Sequence, residues 1–506
     1  MVNMPAGKRG IKAVRTIHFE ESQMKPSHWL APTMALLLQL PAQAAPLTPE
    51  QLSAHLLNRI AFGPAPGDIE RVTRMGAQRY IDSQLMPEAI ALPAALSERL
   101  RGLDAVQQPA GAVLGEYLEV RKEAKDEGEE GKARRRAVVS RIALQTDEAR
   151  IARAIDSPRQ LEEVMVDFWF NHFNVFAGKG LDRALIASYE RDAIRPYAFG
   201  SFRALLGATA KHPAMLYYLD NWLSTANDYK PRGAAAGPRA KASGLNENYA
   251  RELMELHTLG VDGGYTQKDV TELARMLTGW TYLPRTLVRD NQSFQFDARR
   301  HDDGAKQWLG QPVRARGEAQ GEYALDVLAM HPATAHHVSY QLAQYFVRDD
   351  PPPALVERMA ATWLASRGDI RSVLRTLFAS AEFLAPENVG AKFKTPYQFV
   401  ISTARASAVP LADVKPLLGT LNRLGMPLYG CQTPDGYKNT QQAWLNPDAL
   451  SRRIAFANGL AGNLDAAALQ ATLGAAISPR TQATVADSPP RLRAAMLLGS
   501  PDFMQR

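Results

Sequence analysis

The chain has 506 residues, 46% hydrophobic and 22% charged, the balance of a folded globular protein with room for a large core. Its formal charge of +7 is modest and scattered, which argues against a nucleic-acid-binding surface. A single cysteine, Cys431, excludes an intrachain disulfide and a thiolate-rich zinc or iron–sulfur centre, and in "YGCQTPDG" it reads as a plain loop thiol.

Residues 1–44 read as an N-terminal extension followed by a signal peptide. The stretch "MKPSHWLAPTMALLLQLPAQAAP" joins a basic start at Met24 and Lys25 to an apolar run from Trp29 to Leu40. It closes on Ala42-Gln43-Ala44, the small-x-small pattern of a cleavage site. The run is short for a bilayer span, and no later segment is long and apolar enough to be one. The expectation is a periplasmic or secreted protein with no integral membrane segment after cleavage.

Residues 45–506 read as one large, mainly α domain. "TPEQLSAHLLNRIAFG" offers Thr48 as N-cap, Pro49 and Glu50 in the first turn, and Leu52, Leu56, Leu57 and Ile60 at helical spacing. "PGDIERVTRMGAQRYIDSQL" repeats this from Asp68. The pattern recurs over 138–155, 159–176, 181–194, 201–210, 321–346, 353–364, 369–383, 395–407 and 447–461. Two stretches read as mobile insertions: the mixed-charge run 121–136, helical or solvated but not buried, and the Gly-, Ala- and Pro-rich run 227–244. Alternation at Phe294 and Phe296, ahead of a His-Asp-Asp-Gly turn, predicts one small β-hairpin near 292–310.

Between these lies "NENYARELMELHTLG", residues 246–260. At 100° per residue, Tyr249, Ala250, Leu253, Met254, Leu256 and His257 share one arc, and Glu247, Asn248, Arg251, Glu252, Glu255 and Thr258 the other. His257 therefore reads as a hydrogen-bonded core histidine. Glu247, Arg251 and Glu255 follow i, i+4, i+8, the spacing of a solvated salt ladder. Gly260 and Thr266 predict a tight turn into a second helix that carries Glu272 and Arg275 and ends before Trp280. Two acid–arginine faces on consecutive helices can pack into a buried ionic network, a feature common at functional sites.

The run from Asn246 to Trp280 resembles the signature of the bacterial domain-of-unknown-function family DUF1800. So do "HLLNRIAFGPAPGDIERVTRMGAQRYIDSQL", "MVDFWFNHFNVF", "HPAMLYYLDN", "HDDGAKQWLG" and "MLLGSPDFMQR". The resemblance covers nearly all of the chain after residue 44. It departs from the pattern at Tyr437, where the family's tryptophan is expected, which puts a role for the C-terminal region in question. The resemblance implies an exported, mainly helical protein, often encoded beside a second exported family, and it brings no established activity or assigned catalytic residue.

Several chemistries are excluded by pattern. No G-x-S-x-G elbow, G-x-G-x-x-G loop or Walker A motif occurs, so neither a serine hydrolase nor a nucleotide cofactor is expected. H-E-x-x-H is absent, and Glu255 and His257 diverge on a helix. A divalent metal, if held, would draw on His301 and Asp302, with His172 and Glu252 as further ligands. Glu247 and Glu255 stand about 12 Å apart along a helix axis, beyond a glycosidase pair unless their side chains lean together. Glu252 and Glu255 are close enough but splay by about 60°, and either could pair with a carboxylate elsewhere such as Asp220. The favoured reading is a hydrolase or lyase acting on an extracytoplasmic polymer, a polysaccharide before others, with Glu247, Arg251, Glu252 and Glu255 as the catalytic set. His172, Asp220, Asn246, Asn248, Arg275 and Trp280 are the expected substrate-binding residues. The alternative is a non-catalytic binding or assembly protein whose partner is another exported protein.

Overall fold

The computed structural model describes residues 46–230 and 244–506. The expected signal peptide at 1–44 therefore lies outside the described residues, as does most of the stretch 227–244 read as an insertion.

Local chemistry places the first elements. Helix α1 (Pro49–Ile60) starts at Thr48, whose hydroxyl accepts from the Gln51 N–H while the Gln51 side chain accepts from the Thr48 N–H. The run from Asp68 divides into two helices, Asp68–Met75 and Ala77–Gln84, because Gly76 turns the chain at φ +86°. The mixed-charge run 121–136 is the tip of a helical hairpin, α2 (Ala110–Asp126) and α3 (Gly128–Asp156). Its charges pair along the exposed surface, Lys132 with Glu129 at 2.7 Å and Arg134 with Glu127 at 2.9 Å. Only Glu127 and Gly128 (φ +63°) make the bend.

Helix α4 (Gln160–His172) is buried along most of its length and packs against α1 and α3. After it the chain breaks into short pieces, including one π turn at Tyr189–Ile194. Helices α5 (Asn248–Glu255) and α6 (Gln267–Met276) pack side by side. Their acid–arginine faces do not join in the expected ionic network: Arg251 and Glu247 meet Gln267 and Thr271, and Arg275 turns to Asp302. The single helical pattern at 321–346 divides into α7 (Glu318–Met330) and α8 (Pro332–Phe346). Pro332 has no N–H to continue the ladder, and His331 Nδ1 caps the new helix by accepting from the Ala333 N–H at 3.1 Å. Helices α9 (Pro353–Ala365) and α10 (Ile370–Phe378) stack outward from α8, and α11 (Pro396–Ser407) runs against α3.

The β structure differs from the predicted hairpin. Gln295–Phe296 pairs antiparallel with Trp280–Thr281, not with the residues that follow it. A separate two-residue hairpin joins Gln307–Trp308 to Gln311–Pro312 through Leu309 and Gly310, both at positive φ. The described residues form one compact unit, with Trp169, Trp280, Trp308 and Trp363 fully buried in it. No helix among the described residues is long and apolar enough to cross a membrane.

Candidate active site

The segments of the central motif do not meet in one recess. They divide into three polar groups, and only one opens into a cleft.

The first group braces α5 against α6. Glu247 accepts from Thr271 Oγ1 at 2.7 Å and Gln267 Nε2 at 2.8 Å, and Arg251 donates to Gln267 Oε1 at 2.8 Å. Arg251 reaches Glu247 only at 3.5 Å. The second group ties α6 to the His-Asp-Asp-Gly turn. Arg275 binds Asp302 through Nε at 2.8 Å and Nη2 at 3.0 Å, and Glu272 through Nη1 at 2.8 Å. Both are structural clamps, and neither presents a free carboxylate to a cavity.

The third group is the end of α5. Glu255 lines a cleft of about 260 Å³ walled by α4, α8 and the loop 426–439. The same cleft takes Asn171 and His172 from α4, His337, Gln341 and Gln344 from α8, and Asp435, Tyr437 and Lys438 from the loop. Glu252 sits one turn back, its carboxyl pushed up by burial first and by the charges of Glu255 and Asp435 next.

His172 is fixed in one tautomer. Its Nε2 lies 3.1 Å from the His257 carbonyl. A carbonyl only accepts, so Nε2 carries the proton and Nδ1 keeps its lone pair. Burial, with the neighbouring His337 as a smaller cause, holds this imidazole down at about 4, so it is neutral at pH 7. His337 is also held down, chiefly by burial, and its Nε2 has no partner. The cleft thus offers neutral imidazoles beside the Glu255 carboxylate.

The loop wall is strapped to α4 by side-chain amides. Asn171 Nδ2 donates to the Tyr437 carbonyl at 2.8 Å, and Asn171 Oδ1 accepts from the Tyr437 N–H at 2.7 Å. Gly436 passes this point at φ +66°, where a Cβ would run into the Asn171 carbonyl. Asn174 donates to the carbonyls of Cys431 and Thr433 at 3.0 and 2.8 Å. Tyr437, which replaces the expected tryptophan, still lines the cleft and donates its hydroxyl to the Pro427 carbonyl at 3.0 Å. Cys431 is a buried free thiol.

Beneath the cleft lies an ionic network that no local pattern announces. Arg150 donates to Asp167 at 2.7 Å and to Glu190 at 2.8 Å, while Arg195 binds Glu163 through two 2.9 Å bonds and Glu190 at 3.0 Å. The Arg150 guanidinium stands 5.2 to 5.5 Å from the rings of Phe170, Tyr397 and Tyr429. Burial alone would raise Glu190, but Arg150 and Arg195 outweigh it and hold the carboxyl down at about 2. Asp167 goes the other way: burial raises it despite Arg150, and Tyr345 also donates to it at 3.3 Å. Asp167 forms part of the cleft floor, so this network sets the position of α4 there.

The remaining expected substrate residues do other work. Trp280 is core, wholly buried over Gly321, where any Cβ would strike its ring, so it cannot meet a substrate. Asn246 Nδ2 donates to the Asp220 carbonyl at 3.2 Å, and Asn248 Nδ2 to that of Leu219 at 3.4 Å. Asp220 pairs with Lys179 at 2.9 Å. His301 is buried with Nδ1 2.8 Å from the Thr278 carbonyl, and the Asp302 carboxylate is taken by Arg275. Among the described residues no three His, Cys, Asp or Glu side chains gather closely enough to hold a metal ion.

Of the expected set, Glu255 and His172 share the cleft, with Glu252 behind. Sequence reasoning missed Asn171, Asp435 and the α8 residues. A signal for the last was present: His337, Gln341 and Gln344 at i, i+4, i+7 make a polar stripe along one side of α8.

The model of a protein family of unknown function, DUF1800, matches residues 55–505. No curated protein and no solved structure matches the chain.

Proposed function

The chain belongs to the DUF1800 family, and we propose that it is a hydrolase or lyase acting outside the cytoplasm on a polyhydroxylated polymer, a polysaccharide before others. The observation that carries this reading is the convergence of Glu255, Asp435 and the neutral imidazole of His172 on one open cleft.

Such a cleft suits a sugar chain. The amides of Gln341 and Gln344 and the imidazole nitrogens supply neutral donors and acceptors for hydroxyl groups, and Tyr437 supplies an aromatic wall. Glu255 is the group placed to move a proton at the scissile bond. Glu252 acts through it: burial first and the charge of Glu255 next push the Glu252 carboxyl up, so it holds its proton to higher pH than an exposed glutamate. His172 Nδ1 accepts a substrate hydroxyl and orients it. The role first expected for Glu247 and Arg251 passes to structural support, because both are occupied between α5 and α6.

The test is turnover by the purified protein on a panel of neutral, amino and uronic polysaccharides, with and without a chelator. New reducing ends mark hydrolysis, and absorbance of an unsaturated product marks elimination. Polymer that is retained but never cleaved would leave only the non-catalytic reading. Export is tested separately: the secreted chain is expected to begin at Ala45 by intact mass, and recovery of the full-length chain in the cytoplasm would refute it.

A further inference from the structure

The C-terminal region carries a concave apolar surface that none of the described residues fills. Helix α12 (Lys415–Arg423) packs against α11, and α13 (Pro447–Ala461) against α14 (Arg493–Leu498). Between α12 and α13 lies a groove of about 560 Å³, which shares no lining residue with the cleft at Glu255. Leu417, Leu424, Phe456 and Leu460 form its walls. Phe456 meets the core through Phe399, edge to face with the ring centroids 6.0 Å apart. Small residues keep the groove open. Gly419 lies on one helix and Gly459 on the other, and a Cβ at Gly459 would meet no atom within 4 Å.

The rim is basic. Lys415, Arg423 and Arg452 all line the groove, and all three are exposed. Arg452 is engaged: its Nε pairs with Asp448 at 2.8 Å, and its Nη1 donates to the Arg423 carbonyl at 2.6 Å, which ties the end of α12 to α13. The Arg423 guanidinium has no carboxylate partner among the described residues. Its Nη2 donates to Thr420 Oγ1 at 2.8 Å, and its Nη1 lies 3.4 Å from where a Gly419 Cβ would stand, so it runs along the groove wall. Lys415 also pairs with no carboxylate among the described residues, and Asp413 beside it accepts from its backbone N–H at 3.0 Å. Apolar walls with uncompensated cations at the edge match a ligand that is apolar along its length and anionic at one end. The volume is that of a small-molecule site, whereas an amphipathic helix needs a row of pockets for its i, i+3, i+4 and i+7 side chains.

We propose that the groove between α12 and α13 binds a fatty-acid-type carboxylate, its unbranched acyl chain against Leu417, Phe456 and Leu460 and its head group at Arg423. The chain gains by leaving water, and the carboxylate accepts charge-assisted bonds from the exposed guanidinium. Lys415, eight residues away and so about 12 Å along the helix axis, adds a weaker pull from the other end.

Isothermal titration of the purified protein with sodium octanoate, decanoate and dodecanoate, each below its micelle concentration, tests the groove. A single saturable site is expected, tightening about two- to fourfold for each added methylene. Decanol, the neutral counterpart of decanoate, is expected to bind about threefold more weakly. Arg423→Gln is expected to erase that preference while leaving decanol binding and the melting temperature unchanged. Gly459→Leu fills the groove from a helical position with room for a side chain. It is expected to lose both ligands, at a melting temperature no lower than that of the parent. No saturation by dodecanoate, affinity independent of chain length, equal binding of decanoate and decanol, or full affinity in a folded Gly459→Leu would overturn the proposal. So would dimerisation that Gly459→Leu abolishes with no decanoate bound, which would assign the groove to a second copy of the chain.

Discussion

Arg150 shows how much a single side chain can organise without touching the cleft. It joins Asp167 on α4 to Glu190 in the π turn, and three aromatic rings enclose its guanidinium. Arg150→Met is expected to destabilise the protein by about 3–5 kcal/mol, because it strands two buried carboxylates, and urea denaturation measures the loss. An unchanged midpoint would show that those carboxyls are satisfied elsewhere. Asn171→Ala removes two hydrogen bonds to the Tyr437 backbone and is expected to cost about 1–2 kcal/mol. Amide exchange at Tyr437 should then speed up while that of the α4 interior stays slow. Individual residues were legible unevenly. His257 reads as a core histidine from its arc, and it is buried. Trp280 and Asp167 were not legible, since neither burial of an indole nor pairing with Arg150 leaves a mark within a few residues.

Elements were the most legible level, because capping and periodicity are local. Thr48 announces α1, and Thr48→Ala is expected to lower stability by about 1 kcal/mol through loss of the reciprocal cap, a change that thermal unfolding can resolve. Boundaries inside a continuous apolar pattern were harder to see. The 321–346 pattern continues across Pro332 although the helix does not, because the split pieces keep the same buried faces. The mixed-charge run 121–136 reads as helical or solvated but not buried, and its charges sit on the outer faces of two packed helices. The strand at Gln295–Phe296 was legible as a strand, but its partner at Trp280–Thr281 was not, since pairing over that distance depends on how α6 ends.

At the scale of the whole molecule, several histidines are buried as neutral groups. Burial holds His172 at about 4 and both His55 and His212 at about 3, against 6.5 for an exposed imidazole. Above pH 6.5 the folded and unfolded states are both neutral at these sites, so stability is fully present. As pH falls below 6.5 the unfolded chain takes up protons that the folded one refuses, and stability declines toward pH 4 and beyond. His172 alone accounts for on the order of 3 kcal/mol of that loss. The melting temperature is therefore expected to drop steadily between pH 6.5 and 4, and a flat profile there would contradict the burial of these rings. The mainly α class was legible in the sequence, whereas the polar centre expected near residues 246–275 divides into three separate groups. Which of its carboxylates share a cleft was not legible, because α8 and the loop 426–439 supply the opposite walls from far along the chain.

The central claim is that function resides in the cleft at the end of α5 and not in the polar clamp at its start. The direct measurement is the turnover of a cleaved polysaccharide by two variants of one helix, Glu255→Gln and Glu247→Gln, each checked for folding by its melting temperature. The account predicts that Glu255→Gln loses about 100-fold or more of the rate while it stays folded. Glu247→Gln should keep most of its rate per folded molecule and lose only stability. Full activity in Glu255→Gln, or loss of rate in a stably folded Glu247→Gln, would contradict it.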